Sequence, residues 1–245
     1  MRCHTAVFTT HSAMEEYRQR FPELPASKFK VIENGYDEDS FDPDSIAAEQ
    51  SAPGGSGRRT TLLHSGVLYQ NGRDPSAFLE AVSQLKITNQ VDAGSLRVIL
   101  RAPGAMETIG ILVAKYGVQD IVEVAPPVPY LVALKEMLAA DGLLVFQGTP
   151  FNTQVPAKIY EYFRARKPIL ALVDPGGETA HVLRTAGFDD IVDMERAAPI
   201  AQVLQAFLFK VNSGNAKVAS EDVIASSSRQ HRARELASIF DTAVN

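Results

Sequence analysis

VPAKIYEYFRARKPILAL, from Val155 to Leu172, reads as a short helix running straight into a buried strand. Pro156 suits a first helical position, where its missing N–H is no loss and its φ is already helical. Ile159 and Phe163 fall four apart on one face, while Lys158 and Glu161 lie elsewhere on the first two turns. Arg164, Arg166 and Lys167 close the helix, where cations oppose the negative end of its dipole. Ile169 to Val173 is apolar at every position, as expected of a strand covered on both faces. A helix start at the edge of a parallel sheet offers unpaired N–H groups to a phosphate, and Glu161 one turn further in can accept hydrogen bonds from both hydroxyls of a ribose. The competing role for Glu161 is electrostatic: complementing the dipole or pairing with a nearby cation.

Working outward, strands and helices alternate beyond Thr60. Strands are expected at 61–65, 96–100, 121–124, 142–146, 168–173 and weakly 190–192; helices at 75–86, 105–116, 130–139, 156–165, 178–185 and 200–209. Successive βα units require crossover connections, so the fold class is α/β, a doubly wound Rossmann-like parallel sheet. Ahead of it come a strand at 6–9, a helix from Ser12 to Phe21 with Ser12 as cap and Glu15 completing a capping box, a strand at 30–32, and a tight turn at Asn34–Gly35. Residues 44–59, ending in APGGSGRR, read as a flexible connection. A closing helix over 228–243 carries an apolar stripe of Leu236, Ile239 and Phe240 and must pack against something.

Composition narrows the function. With 45% hydrophobic and 22% charged residues the 245-residue chain is an ordinary globular protein, and its net charge of −5 argues against a nucleic-acid partner. The single cysteine, Cys3, excludes an internal disulfide framework, and the five histidines have no metal-ligand spacing, so no metal and no cofactor is expected. No apolar run approaches the roughly 18 residues a spanning helix needs, and the first residues lack a secretory signal core, which gives a cytoplasmic expectation.

In a doubly wound sheet, ligands sit beyond the carboxyl ends of the strands, so the loops after strands are the places to search. The first, HSGVLYQNGRDP, supplies Gly66 for close backbone approach and Arg73 as a planar cation for phosphate; a turn glycine and a solvated arginine are the plain alternatives. It holds neither GxGxxG nor GxxxxGK[ST], which argues against a dinucleotide-binding fingerprint and a P-loop hydrolase. VAPPVPY, 124–130, is stiffened by three prolines and can present backbone groups to the edge of a base, or serve only as a rigid connector. QGTPFNTQ leads into the helix at Pro156, and DPGGETA places glycines after the next strand.

These loops, taken in order, resemble the C-terminal, donor-binding half of a two-domain GT-B glycosyltransferase, nearest to family 4. The segments that carry the resemblance are VIENGYDEDSFDP, LLHSGVLYQNGRDPSAFLEAV, VPYLVALKEMLAADGLLVF and VPAKIYEYFRARKPILAL. The resemblance implies transfer of a sugar from a nucleoside-diphosphate sugar to an acceptor hydroxyl, in building a cell-surface glycan or glycolipid, by a protein in the cytoplasm or peripheral to the inner face of the membrane. It implies that Glu161 binds the ribose, that Gly66 and Arg73 meet the diphosphate together with the amides of Ala157 and Lys158, and that Val128 lies near the base. Thr153 stands where the family has a carboxylate that contacts the sugar, a departure that bears on sugar identity and transfer. The resemblance also implies that residues 1–43 are a remnant of an N-terminal domain that would hold the acceptor glycan or lipid, that 60–210 bind the nucleotide sugar, that 211–245 close the fold, and that the chain alone is inactive. A GT-B nucleotide-sugar epimerase and a non-catalytic binding or assembly module are the alternatives.

Overall fold

The computed structural model describes residues 3–41 and 59–244, with side chains through Thr242. The chain opens with β1 (Ala6–Phe8), α1 (His11–Arg20) and β2 (Phe29–Val31), the strands pairing in parallel. The cap of α1 is Thr10, not Ser12. Thr10 has extended backbone and its Oγ1 accepts from Ala13 N at 3.2 Å, while Glu15 pairs with Arg18 instead of closing a capping box. Asn34–Gly35 is not a turn either. A Cβ on Gly35 would lie 2.7 Å from the Ser227 carbonyl oxygen. Glycine serves close backbone passage at this point, which a turn-forming dipeptide conceals in sequence.

The main sheet holds β3 (Thr60–Ser65), β4 (Leu96–Arg101), β5 (Val122–Ala125), β6 (Gly142–Gln147), β7 (Ile169–Val173) and β8 (Ile191–Val192). All are parallel, in the order β5-β4-β3-β6-β7-β8. The interleaved helices are α2 (Ser76–Ile87), α3 (Met106–Lys115), α4 (Tyr130–Ala139), α5 (Lys158–Arg164), α6 (Glu178–Thr185) and α7 (Ala197–Asn212), followed by α8 (Glu221–Ser226) and α9 (Arg229–Val244). Every residue of β6 and β7 is buried, as the unbroken apolar runs require of strands covered on both faces. Their side chains alternate between two cores. Leu144, Phe146, Leu170 and Leu172 join α2, α3 and α7 on one face; Leu143, Val145, Ile169 and Ala171 join α4, α5 and α6 on the other.

The helix at the centre of the sequence reading is more buried than its pattern implies. Besides Ile159 and Phe163, both Tyr160 and Tyr162 are buried, so α5 is wrapped on most of its circumference. It begins as a tighter turn, Ile159 N donating to Pro156 O and Tyr160 N to Ala157 O, before the regular helix sets in at Lys158. The short helix α8 was hidden in a polar stretch because it buries only Ile224, and Ser220 caps it by accepting from Val223 N at 3.3 Å. The expected flexible connection over 44–59 lies outside the described residues apart from Arg59, which donates to Leu96 O and Asp120 O.

The strand order sets where a ligand fits. From β3 the chain moves outward through β4 and β5, then returns to the other side of β3 for β6, β7 and β8. The connections after β3 and β6 therefore diverge at the carboxyl edge, the crevice where such sheets hold ligands, and are bridged there by Gly148 N donating to Gly72 O at 2.7 Å.

Candidate functional site

The crevice is built from the β3–α2 loop on one wall and the β6–α5 loop on the other. At the end of β3, Gly66 has φ +134°, a conformation that L side chains rarely adopt, and a Cβ there would lie 2.5 Å from Lys158 Nζ. Lys158, the first residue of α5, reaches across the crevice and donates to the Ser65 carbonyl oxygen at 2.5 Å. Burial, and secondarily the charge of Arg73, lower its ammonium pKa to about 8.

Arg73 lies over two aromatic rings, its guanidinium carbon 5.4 Å from the Tyr69 ring centroid and 5.3 Å from that of Phe151. Nη2 donates to Gln147 Oε1 at 3.0 Å, and Nε is buried without a partner. Among the described residues neither Arg73 nor Lys158 forms an ion pair with a carboxylate. Two neighbouring cations with no carboxylate in ion-pair contact, one of them losing proton affinity chiefly through burial and further through the other, form a site that an anionic group would relieve.

His64 lies beneath this pair on β3 and is almost fully buried, its Nδ1 at 3.0 Å from the Leu144 carbonyl oxygen. Burial first, then the charges of Lys158 and Arg73, hold its pKa well below the usual value, so the ring stays neutral and packs edge-on to Phe146. Its Nε2 is buried without a hydrogen-bond partner.

One turn into α5, Glu161 accepts a hydrogen bond from Tyr130 Oη at 2.8 Å. Burial and the adjacent carboxylate push the Tyr130 phenol up to about 12, so it stays a donor through the neutral range. Tyr130 is half exposed and heads α4 directly after the proline-rich loop, in which Val128 is half-buried. That loop is anchored from below by Arg101, which donates to Pro126 O at 2.7 Å and pairs with both oxygens of Glu136. The loop expected near the base and the helix expected near the ribose are thus joined at the crevice rim.

Gln147, which ends β6, organises the second wall. Its Nε2 donates to Phe151 O, Gln154 O and Thr179 Oγ1, while its Oε1 takes Arg73. Thr153 sits in the loop so formed with its side chain exposed, and its carbonyl oxygen accepts from Thr10 Oγ1 at 2.7 Å. Glu178, buried at the start of α6, accepts from Ser12 N. The start of α1 is therefore seated against the loops of the main sheet.

Among the expected site residues, the structure brings Gly66, Arg73 and Lys158 together across the crevice, with Ala157 at the α5 start and Glu161 one turn on. It places Val128 and Thr153 in the flanking loops. Sequence reasoning missed the Lys158 side chain, having valued only its amide, and missed Tyr130 and Gln147. The position of Tyr130 directly after a stiff proline loop was the available signal for it; Gln147 carried none, since a polar residue at a strand end reads as solvent-facing. Among the described residues no group of three or more His, Cys, Asp or Glu is placed to hold a metal ion, and no helix is long and apolar enough to cross a membrane.

No family model matches the sequence, and no curated protein matches it. Solved structures do match in shape. A glycosyltransferase from Rickettsia africae superposes with a TM-score of 0.68 at 16% identity, over 98% of this chain and 64% of the other. Sucrose-phosphate synthase from Thermosynechococcus elongatus gives 0.68 at 16% identity, over 97% and 58%. HepE from Anabaena, solved in complex with UDP, gives 0.71 at 13% identity, over 98% and 64%. The chain spans about three fifths of the length of these structures. At such identities the likeness speaks for architecture: the chain has the Rossmann-like α/β fold of GT-B glycosyltransferases.

Proposed function

We propose that the chain is the donor-binding part of a glycosyltransferase, holding a nucleoside-diphosphate sugar in the β3/β6 crevice for transfer to an acceptor hydroxyl of a glycan or glycolipid. The observation that carries this reading is the convergence of Lys158 and Arg73 beside the Glu161–Tyr130 pair at the switch point of the sheet. In this reading the two cations take the diphosphate. Their positive charge is fixed before the ligand arrives, so it also stabilises the negative charge that builds on the diphosphate as the glycosidic bond breaks. Glu161 accepts from the ribose hydroxyls, with Tyr130 orienting its carboxylate, and Val128 lies toward the base. The protein works without a metal in this scheme, and its place is the cytoplasm or the inner face of a membrane.

Titration calorimetry with UDP, GDP and ADP tests the reading. Binding of at least one diphosphate, weakened by Glu161→Ala without loss of folding, is expected. Absence of heat with all three at millimolar concentration would sink it.

A second reading has its own observation. Thr153 brings no charge to the position where the resemblance implies a sugar-contacting carboxylate, and its side chain is exposed. A module that binds the nucleotide and transfers nothing fits that position equally. Nucleotide binding combined with absence of both transfer and donor hydrolysis in the full protein would favour it.

A further inference from the structure

Tyr160, the neighbour of Glu161 on α5, is turned away from the crevice to a second cavity, of about 210 Å³, where α1, the segment after β2, α5, α6, α8 and α9 meet. It is only 1% exposed, yet its hydroxyl has no hydrogen-bond partner. Arg232 on α9 lines the same cavity. Its Nη2 donates to Glu33 at 2.7 Å and its Nη1 to Glu235 at 3.1 Å, while Nε is buried and unpartnered. Two buried donors from different elements therefore go unanswered in one cavity. Leaving a buried donor unpaired costs roughly 1–3 kcal/mol, so such arrangements are rare in cores unless something accepts the bonds.

We propose that this cavity binds a neutral polyhydroxylated ligand of about the size of one sugar ring. Burial keeps the Tyr160 phenol protonated, so its hydroxyl can donate as well as accept, while the Arg232 Nε can only donate and calls for a lone pair on the ligand. The lining is balanced in charge, Arg232 against Glu33, with the imidazoles of His11 and His181 as further partners. An oxyanion would face a carboxylate with no spare cation to compensate it. Hydroxyl groups fit better, because each can accept from Tyr160 or Arg232 and donate to an imidazole nitrogen or to Glu33. Phe163 contributes an apolar portion of the wall. The volume is several times the roughly 30 Å³ that one water occupies in the liquid. Because His11 and Glu33 come from the N-terminal segment and Tyr160 and His181 from the main sheet's helices, an occupant bridges the two.

The ring signals of His11 and His181, followed by NMR at pH 8 with glucose, glycerol and inorganic phosphate as separate probes, test the proposal. Glucose is expected to move both signals saturably in the millimolar range. Tyr160→Phe is expected to weaken that response about tenfold while leaving UDP binding intact, and to leave the melting temperature of the free protein unchanged or raised. Absence of a saturable glucose shift, a response to phosphate alone, or equal glucose affinity in Tyr160→Phe would each overturn it. Sugar held instead in the β3/β6 crevice would not respond to Tyr160→Phe, while the donor-site reading stands or falls on UDP binding and its response to Glu161→Ala, so the two fail separately.

Discussion

Lys158 is the residue whose chemistry and stability pull in opposite directions. Its ammonium is kept near Arg73 and away from water at the cost of proton affinity, which leaves its pKa at about 8 against an ordinary 10.5. Between those values the unfolded chain holds the proton that the folded chain has lost, so stability should rise with pH across that window. Below about pH 8 the lysine is charged in both states and its buried charge counts fully against folding. Lys158→Met removes this penalty with little change of volume. We expect the variant to melt no lower than wild type at pH 7, to lack the rise in stability between about pH 8 and 10.5, and to lose UDP affinity at least tenfold. An equal fall in affinity and in apo stability would mean that Lys158 is only a structural tie between α5 and β3. A further consequence concerns the wild type: diphosphate affinity should fall as pH rises through 8, since the deprotonated amine no longer meets an anion with charge. A calorimetric pH series that is flat from pH 6.5 to 9 would contradict the role.

At the scale of elements, the β6–α5 loop is organised by one buried side chain. Gln147 ties Arg73 on one wall to Phe151 and Gln154 on the other and is 2% exposed, so nothing in solvent replaces it. Gln147→Leu keeps the bulk but strands the Arg73 Nη2 and takes from the Gln154 carbonyl one of its two donors, leaving it Thr179 Oγ1. The expected loss is roughly 1–3 kcal/mol of stability, with UDP affinity lowered though Gln147 touches no ligand, and amide exchange speeded at residues 149–155. The same loop marks the limit of what sequence shows. The six strands and their helices were legible because unbroken apolar runs such as 169–173 and amphipathic stretches such as 76–87 record burial directly. Gly66, Arg73 and Glu161 were legible because they follow strands or open helices. The partners Gln147 and Tyr130 were not, since contacts such as Arg73 with Gln147 and Tyr130 with Glu161 join residues 74 and 31 apart along the chain. Asn34–Gly35 shows the converse: a strong local turn signal was overridden by backbone passing backbone at Ser227.

Across the whole molecule, the segment after β2 works as a strap over the main sheet's second core. Tyr36 and Phe41 are buried in that core and meet edge-on at 5.9 Å. Ion pairs fasten it from outside: Arg232 to Glu33, and Arg164 to both oxygens of Glu38, with the Arg164 guanidinium 5.2 Å from the Phe41 ring centroid. The hydrogen bonds from Arg164 hold the Glu38 carboxyl below its ordinary 4.5. A carboxylate so depressed contributes stability that is fully present above about pH 4.5 and is lost as pH falls through the lower folded value. Since Glu38 is half exposed, the contribution is modest and screened by salt. Acid should therefore loosen the strap before it unfolds the sheet. Hydrogen exchange of residues 29–41, measured from pH 6 to 3 and corrected for the intrinsic rate, is expected to lose protection ahead of β6 and β7. Glu38→Gln should show part of that loss already at pH 6 and a weaker further dependence on acid. Raising the salt concentration should bring wild type closer to the variant. Simultaneous loss of protection in the strap and in β6 would show that the strap has no independent opening, and that its aromatic pair, not its charges, sets its stability.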